Sequence, residues 1–244
     1  MAESSDSRFL NICRRHLDIF KADPKWNPSN ILLTLTQLEA QLDEGYTVAL
    51  DVPAKLAPQK ILINKRQETY DKIKPFVRSS RRYLKSSGAT EAEIADAASY
   101  INNLLGQRSA PKPKDNPDVP AGDAIKTHSV SQMSYDSQYG NLVGYRAFLG
   151  NISAYKPNED LIKLTTLDEL IQDCDDSNAA ISAGFVPLSD AWNLRDAKLY
   201  TNADSIYEVF RDAKDYYKSL YEPNSPQYRT ITVRDMTIKP RGRS

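Results

Sequence analysis

The feature that most constrains this sequence is an internal repeat covering most of its 244 residues. A shift of 129 positions places the run LTLTQLEAQL (33–42) on IKLTTLDELI (162–171). Identical residues then recur at that offset: Leu35 with Leu164, Leu38 with Leu167, Pro58 with Pro187, and Arg66 with Arg195. After a slip of four positions near residues 200–204, further identities follow: Arg78 with Arg211, Tyr83 with Tyr216, and Lys85 with Lys218. Matched proline, arginine and tyrosine at a fixed offset indicate a duplication, since two unrelated amphipathic helices would share only scattered leucines.

Apolar residues in both copies follow the helical period, which predicts an all-α protein. We expect two tandem pseudo-symmetric antiparallel helical bundles with a short extended C-terminal tail. The boundaries are then residues 1–106 for the first repeat, 107–128 for a proline-rich linker, 129–222 for the second repeat, and 223–244 for the tail. Whether the repeats form one fused bundle or two separate ones stays open.

Each copy is expected to contain three helices. The first carries Phe9, Cys13 and Phe20 at helical spacing, and the second is expected to begin with Pro28 in its first turn. The third is long, and Pro75 should kink or break it.

The two copies are expected to end differently. The first has an extra helix opened by a capping box at Thr90 and Glu93, after Gly88 has ended the preceding helix. In the tail of the second, Ile231 and Val233 alternate with polar residues, which predicts a strand. That strand packs on the helices, pairs with residues 46–50, or adds to a partner.

Catalytic and metal-binding patterns are scarce. The chain has two histidines, of which His16 lies at the edge of an apolar helical stripe and His128 in the linker. No HExxH, CxxC, GxGxxG or GxSxG motif occurs. Without histidine at suitable spacing, the paired acids Glu39 with Glu44 and Asp168 with Asp173 indicate a solvated face. We therefore expect no catalytic residue, no metal site and no cofactor.

Localisation is predicted from what the chain lacks. Its first residues show no basic region followed by an apolar run, and no stretch approaches the roughly 18 apolar residues that span a membrane. Cys13 and Cys174 lie in apolar helical patterns typical of buried free thiols, which suits a reducing compartment. We expect a cytoplasmic protein with no membrane partner.

The copies differ most in charge. Residues 65–85 hold eight cations against only Glu68 and Asp71. These cations are Lys65, Arg66, Lys72, Lys74, Arg78, Arg81, Arg82 and Lys85. The second copy instead concentrates acids at Asp168, Glu169, Asp173, Asp175 and Asp176. Three hypotheses remain: a solvated face, phosphate contact with nucleic acid, or docking of the basic face on the acidic one within a chain or between chains.

Three stretches resemble a group of uncharacterised bacterial proteins, mostly from Bacteroidota, that are built as duplicated helical units. They are SVSQMSYDSQYGNL (129–142), WNLRDAKLY (192–200) and SPQYRTI (225–231). The resemblance extends loosely over both copies and implies a duplicated helical fold and a bacterial origin. It implies no activity.

These patterns predict a non-enzymatic structural or protein-interaction protein that self-assembles as an oligomer or filament. The contacts would involve the basic and acidic residues named above, together with Tyr228, Ile231 and Val233 of the tail. The partner is expected to be the protein itself or another protein. The alternative is a nucleic-acid-associated or regulatory adaptor that uses residues 65–85, although zero net charge argues against non-specific binding to a polyanion.

Overall fold

The computed structural model describes residues 5–107 and 133–233. Within these ranges the chain is all-α and contains no strand, which confirms the predicted fold class. The helices are α1 (Ser5–Ala22), α2 (Leu35–Asp71), α3 (Ile73–Ser86), α4 (Glu91–Leu105), α5 (Tyr135–Asn151), α6 (Leu164–Asp196), α7 (Ile206–Ser219) and α8 (Pro226–Thr232). Short 3₁₀ turns at Ile31–Leu33 and Asp160–Ile162 precede α2 and α6, and a π-helical turn at Ala197–Thr201 follows α6.

The chain forms two compact units. Unit 1 combines Met1–Lys60 with Ala183–Ser244, and unit 2 is Ile61–Ser182. These units differ from the predicted division into residues 1–106 and 129–222, because each unit combines stretches from both copies. All of the predicted linker except Gln107 lies outside the described residues.

The cause of this difference is the length of α2. The second predicted helix and the start of the third are one continuous helix of 37 residues, about 55 Å long at 1.5 Å per residue. It runs through residues 46–50, one of the three expected partners of the tail, and through Pro53 and Pro58. Each proline removes one backbone hydrogen bond but does not end the helix. Pro28 lies ahead of the 3₁₀ turn, whose N-cap is Asn30, and does not start α2.

The predicted end of α3 and start of α4 are confirmed, and the predicted break lies three residues before Pro75. The break predicted at Pro75 falls at Lys72, which places Pro75 in the first turn of α3, where a missing N–H costs little. Gly88 follows α3 with a φ of +87°. At α4 the Thr90 side chain accepts a hydrogen bond from the Glu93 N–H, and the Thr90 N–H donates to the Glu93 carboxylate at 2.7 Å, forming the predicted capping box.

Unit 1 has a core shared by α1, the first part of α2, α7 and α8. Its largest fully buried side chains include Phe20, whose ring stacks on Trp26 with centroids 4.1 Å apart, and Phe210. Gly45 lies at a close approach of α2 to α7, since a Cβ atom there would be 2.4 Å from Cδ1 of Ile206. This close packing sets the position of α2 in the unit.

The predicted extended tail is partly helical. Ser225 caps α8 by accepting a hydrogen bond from the Tyr228 N–H, and Pro226 occupies the first helical position. Ile231 is fully buried in the core of unit 1. The prediction of an extended tail was wrong for residues 226–232, because capping and burial of one apolar side chain favour a helical turn over the alternating pattern. Residues 234–244 lie outside the described residues.

Unit 2 has a core shared by α3, α4, α5 and the first part of α6. Tyr145 of α5 is fully buried, and its hydroxyl shares a hydrogen bond of 2.8 Å with the buried hydroxyl of Ser80 on α3. Burial raises the pKa of Tyr145 to about 12, because the phenolate would be poorly solvated there. The pair therefore links α3 to α5 through a polar contact inside an apolar core.

Replacing Ser80 with alanine is expected to lower the free energy of unfolding by about 1–3 kcal/mol, since it leaves the Tyr145 hydroxyl buried without its partner. Urea unfolding followed by circular dichroism would measure the loss. Ser79→Ala, at the exposed neighbouring position, serves as the control and should change stability by less than about 0.5 kcal/mol. Equal effects of the two substitutions would contradict this role for the hydrogen bond.

Candidate interaction surface

The solvent side of α3 carries a row of cations. Lys74, Arg78, Arg81, Arg82 and Lys85 fall at helical spacing over twelve residues, a row about 16 Å long. The opposite side of the helix is buried through Ile73, Phe76, Val77, Ser80 and Leu84. We call the five cations the α3 cationic face. The helix itself contains no acidic residue, so none of this charge is neutralised along α3.

The α3 cationic face forms no described ion pair, although Glu91 of α4 lines a pocket together with Arg81 and Lys85. In the part of the chain that the structure describes, no carboxylate lies within 4.0 Å of any of its five cations. Helix α7 occupies the equivalent place in the repeat and behaves differently. Its Arg211 pairs with Glu208 and Asp212, and its Lys218 pairs with Asp215 at 2.7 Å. One helix is neutralised along its own length, whereas the other presents its charge to solvent.

The other three predicted cations are placed apart from this face. Lys65 is exposed on α2. Arg66 is half-buried, with its guanidinium 4.0 Å from the ring centroid of Tyr135, a cation–π contact. Lys72 forms an ion pair of 3.5 Å with Asp173 of α6. This ion pair joins one predicted basic residue to one predicted acidic residue within the chain.

The acidic residues of α6 divide into two groups. Asp168 accepts two hydrogen bonds from Arg146, at 2.6 and 2.8 Å, which lower the pKa of Asp168, and Asp173 pairs with Lys72. Glu169, Asp175 and Asp176 are exposed, and the described residues contain no cation paired with them. We call these three the α6 acidic segment. The sequence did not predict Arg146 as a partner, because it lies on α5, far from both charged stretches in the chain.

A groove of about 420 Å³ lies beside the Lys72–Asp173 ion pair in unit 2. Its apolar lining includes Phe76 and Leu170, and Leu161 contributes a side chain from a residue that is 80% exposed. The pattern of charged residues in the sequence did not predict this groove. The one sequence signal was Leu161, an apolar residue in a polar turn before α6.

The predicted contact residues of the tail are not equally available. Ile231 is fully buried and cannot contact a partner without opening unit 1. Tyr228 is half-buried, and Val233 remains 49% exposed. Of the three alternatives for the tail, packing on the helices is the one that Ile231 adopts, and Val233 is the one exposed apolar side chain of the predicted set.

The reactive side chains are mostly inaccessible. Cys13 and Cys174 are free and buried, and burial raises the pKa of both thiols, that of Cys174 to about 12. His16 is fully buried and stacks on Phe20, while His128 lies outside the described residues. Among residues 5–107 and 133–233, no three His, Cys, Asp or Glu side chains are grouped closely enough to hold a metal ion. Over the same residues, no helix has both the length and the apolarity to cross a bilayer.

Comparisons of this chain with protein-family models, with curated proteins and with solved structures gave no match. The resemblance to bacterial duplicated helical proteins therefore stays a prediction.

Proposed function

We propose that this protein is a non-enzymatic interaction protein that associates with further copies of itself. The α3 cationic face of one copy contacts the α6 acidic segment of a second copy. The observation that carries the proposal is the unneutralised charge of unit 2. Among the described residues, the five cations of the α3 cationic face form no ion pair with a carboxylate, and the three acids of the α6 acidic segment form none with a cation. We also propose that the protein is cytoplasmic.

A second copy is the favoured partner for two reasons. The chain itself supplies an acidic surface that no described ion pair neutralises, and zero net charge minimises repulsion between copies. The two surfaces differ, so a contact between them is heterologous. Such contacts close into a ring or extend as a filament.

The test is a pair of charge-reversed variants studied by size-exclusion chromatography with light scattering. Arg78→Glu/Arg82→Glu reverses the cationic face, and Asp175→Lys/Asp176→Lys reverses the acidic segment. Each variant alone should associate at least about tenfold more weakly than the original protein, because like charges then face one another. An equimolar mixture of the two should recover association, since each reversed surface meets a complementary one.

The matched control is Arg211→Glu/Lys218→Glu on α7, which changes charge at the equivalent helix of the other unit and should leave association unchanged. Association of the original protein should also weaken as salt is raised, because the screening length falls to roughly 3 Å at 1 M ionic strength. A protein that stays monomeric at every concentration and salt level overturns the proposal.

Nucleic acid is the second candidate partner, supported by the acid-free row of cations on α3. In that case the original protein binds DNA or RNA, and the logarithm of the binding constant falls linearly with the logarithm of the salt concentration. Arg78→Glu/Arg82→Glu abolishes this binding, Asp175→Lys/Asp176→Lys retains it, and mixing the two charge-reversed variants recovers no association. Recovery in the mixture therefore separates the two candidates.

A further inference from the structure

The helix boundaries repeat along the chain as the sequence does. At the 129-residue offset, the end of α1 at Ala22 matches the end of α5 at Asn151, and α2 and α6 begin at Leu35 and Leu164. The 3₁₀ turns Ile31–Leu33 and Asp160–Ile162 match at both ends. After the slip of four, α3 and α7 match at both ends as well. We call residues 5–86 the first segment and residues 135–219 the second segment.

Each unit takes equivalent parts from opposite segments. In unit 1, α1 and the first part of α2 come from the first segment, and α7 comes from the second. In unit 2, α5 and the first part of α6 come from the second segment, and α3 comes from the first. The helix that completes each unit is thus supplied by the other segment.

Equivalent aromatic contacts occur in both units. Trp26 and Tyr216 meet edge to face in unit 1, with centroids 5.1 Å apart and planes at 84°. Tyr155 and Tyr83 do the same in unit 2, at 5.3 Å and 85°. Trp26 and Tyr155 are equivalent in the repeat, as are Tyr216 and Tyr83. Both pairs therefore use the same two positions, and both join one segment to the other.

Ion pairs cross between the segments at equivalent acids. Glu44 of the first segment pairs with Lys198 of the second in unit 1. Asp173 of the second pairs with Lys72 of the first in unit 2, at 3.5 Å. Glu44 and Asp173 are 129 positions apart, so the same place on the two long helices binds a lysine from the opposite segment.

We infer that each segment is an interaction module whose partner is the other segment, so that the chain is a covalently joined pair with exchanged C-terminal helices. The surface that α1 and the first part of α2 present is completed by the last helix of the opposite segment, and the same holds for α5 and α6. The connection through residues 108–132 then raises the local concentration of the two partners and is not needed to hold them together.

The test uses the full chain with a protease recognition sequence inserted between Pro117 and Asp118. After cleavage under native conditions, the two halves should co-elute at the mass of the intact chain. A carbodiimide, which joins a lysine amine to a carboxylate in direct contact, should then link the halves covalently. Peptide mass spectrometry should identify Lys72–Asp173 and Lys198–Glu44 as the cross-links.

The control is Lys72→Arg/Lys198→Arg, which retains both charges but removes both reactive amines. Its cleaved halves should still co-elute, and neither cross-link should form. Two outcomes overturn the inference. The cleaved halves separate into two folded species of half the mass, or they co-elute while neither cross-link forms in the protein with both lysines.

Discussion

Replacing Phe20 with alanine is expected to lower the free energy of unfolding of unit 1 by about 3–5 kcal/mol. The side chain is fully buried, stacks on Trp26 at 4.1 Å, and lies 5.5 Å from the ring of Tyr217. Removing it leaves a cavity between side chains from α1 and α7, which rigid helices cannot close by small movements. The loss therefore combines transfer free energy with lost packing.

The measurement is urea unfolding followed by tryptophan fluorescence. Both tryptophans of the chain, Trp26 and Trp192, belong to unit 1, so their emission reports on this unit. Ile31→Ala is the matched control, since Ile31 belongs to the same unit and is 73% exposed, and it should cost less than about 0.5 kcal/mol. A loss below about 1 kcal/mol for Phe20→Ala would show that the packing around this ring is not as described.

Arg195→Met is expected to destabilise unit 1 by about 3 kcal/mol, the size typical of breaking a buried ion pair. The Arg195 side chain is 10% exposed and lies 3.5 Å from Asp6, whose side chain is 12% exposed. Methionine preserves much of the packing of the arginine stem but leaves the Asp6 carboxylate without this cation. The hydroxyl of Tyr200 still donates to Asp6 at 2.9 Å, which keeps the loss at the lower end of the range for such pairs.

The matched control lies at the equivalent position of the repeat. Arg66→Met removes a cation–π contact with Tyr135 in unit 2 and leaves no buried carboxylate behind, so it should cost about 1 kcal/mol or less. Thermal unfolding by circular dichroism compares the two variants directly. If they are equally stable, the Asp6–Arg195 ion pair does not hold α1 in unit 1.

Local features were predictable because they depend on neighbouring residues. The capping box at Thr90 and Glu93 needs only a spacing of three positions, and the apolar stripe of α1 needs only the helical period. The predictions failed where tertiary packing opposed a local signal. The second helix and the start of the third were expected to be separate but form one continuous helix through Pro53 and Pro58. Ile231 lies in a buried helical turn despite its strand-like pattern.

The sequence predicted which residues of the candidate surface are charged, but not which of them form ion pairs. The row of cations on α3 follows from residue type and spacing alone. Their neutralisation depends on side chains brought near by folding, as with Arg146, which binds Asp168 from another helix. The charge of a helix is therefore set by the sequence, whereas the part of that charge left for a partner is set by the fold.

The sequence by itself predicted a repeat that matches residues 5–86 with residues 135–219. That equivalence cannot decide which copy completes which core, because α3 and α7 present similar apolar faces and either could cover α1. The tertiary structure decided it through the length of α2. A continuous helix of 37 residues, about 55 Å long, carries α3 into unit 2, so that α7 of the other copy packs in unit 1.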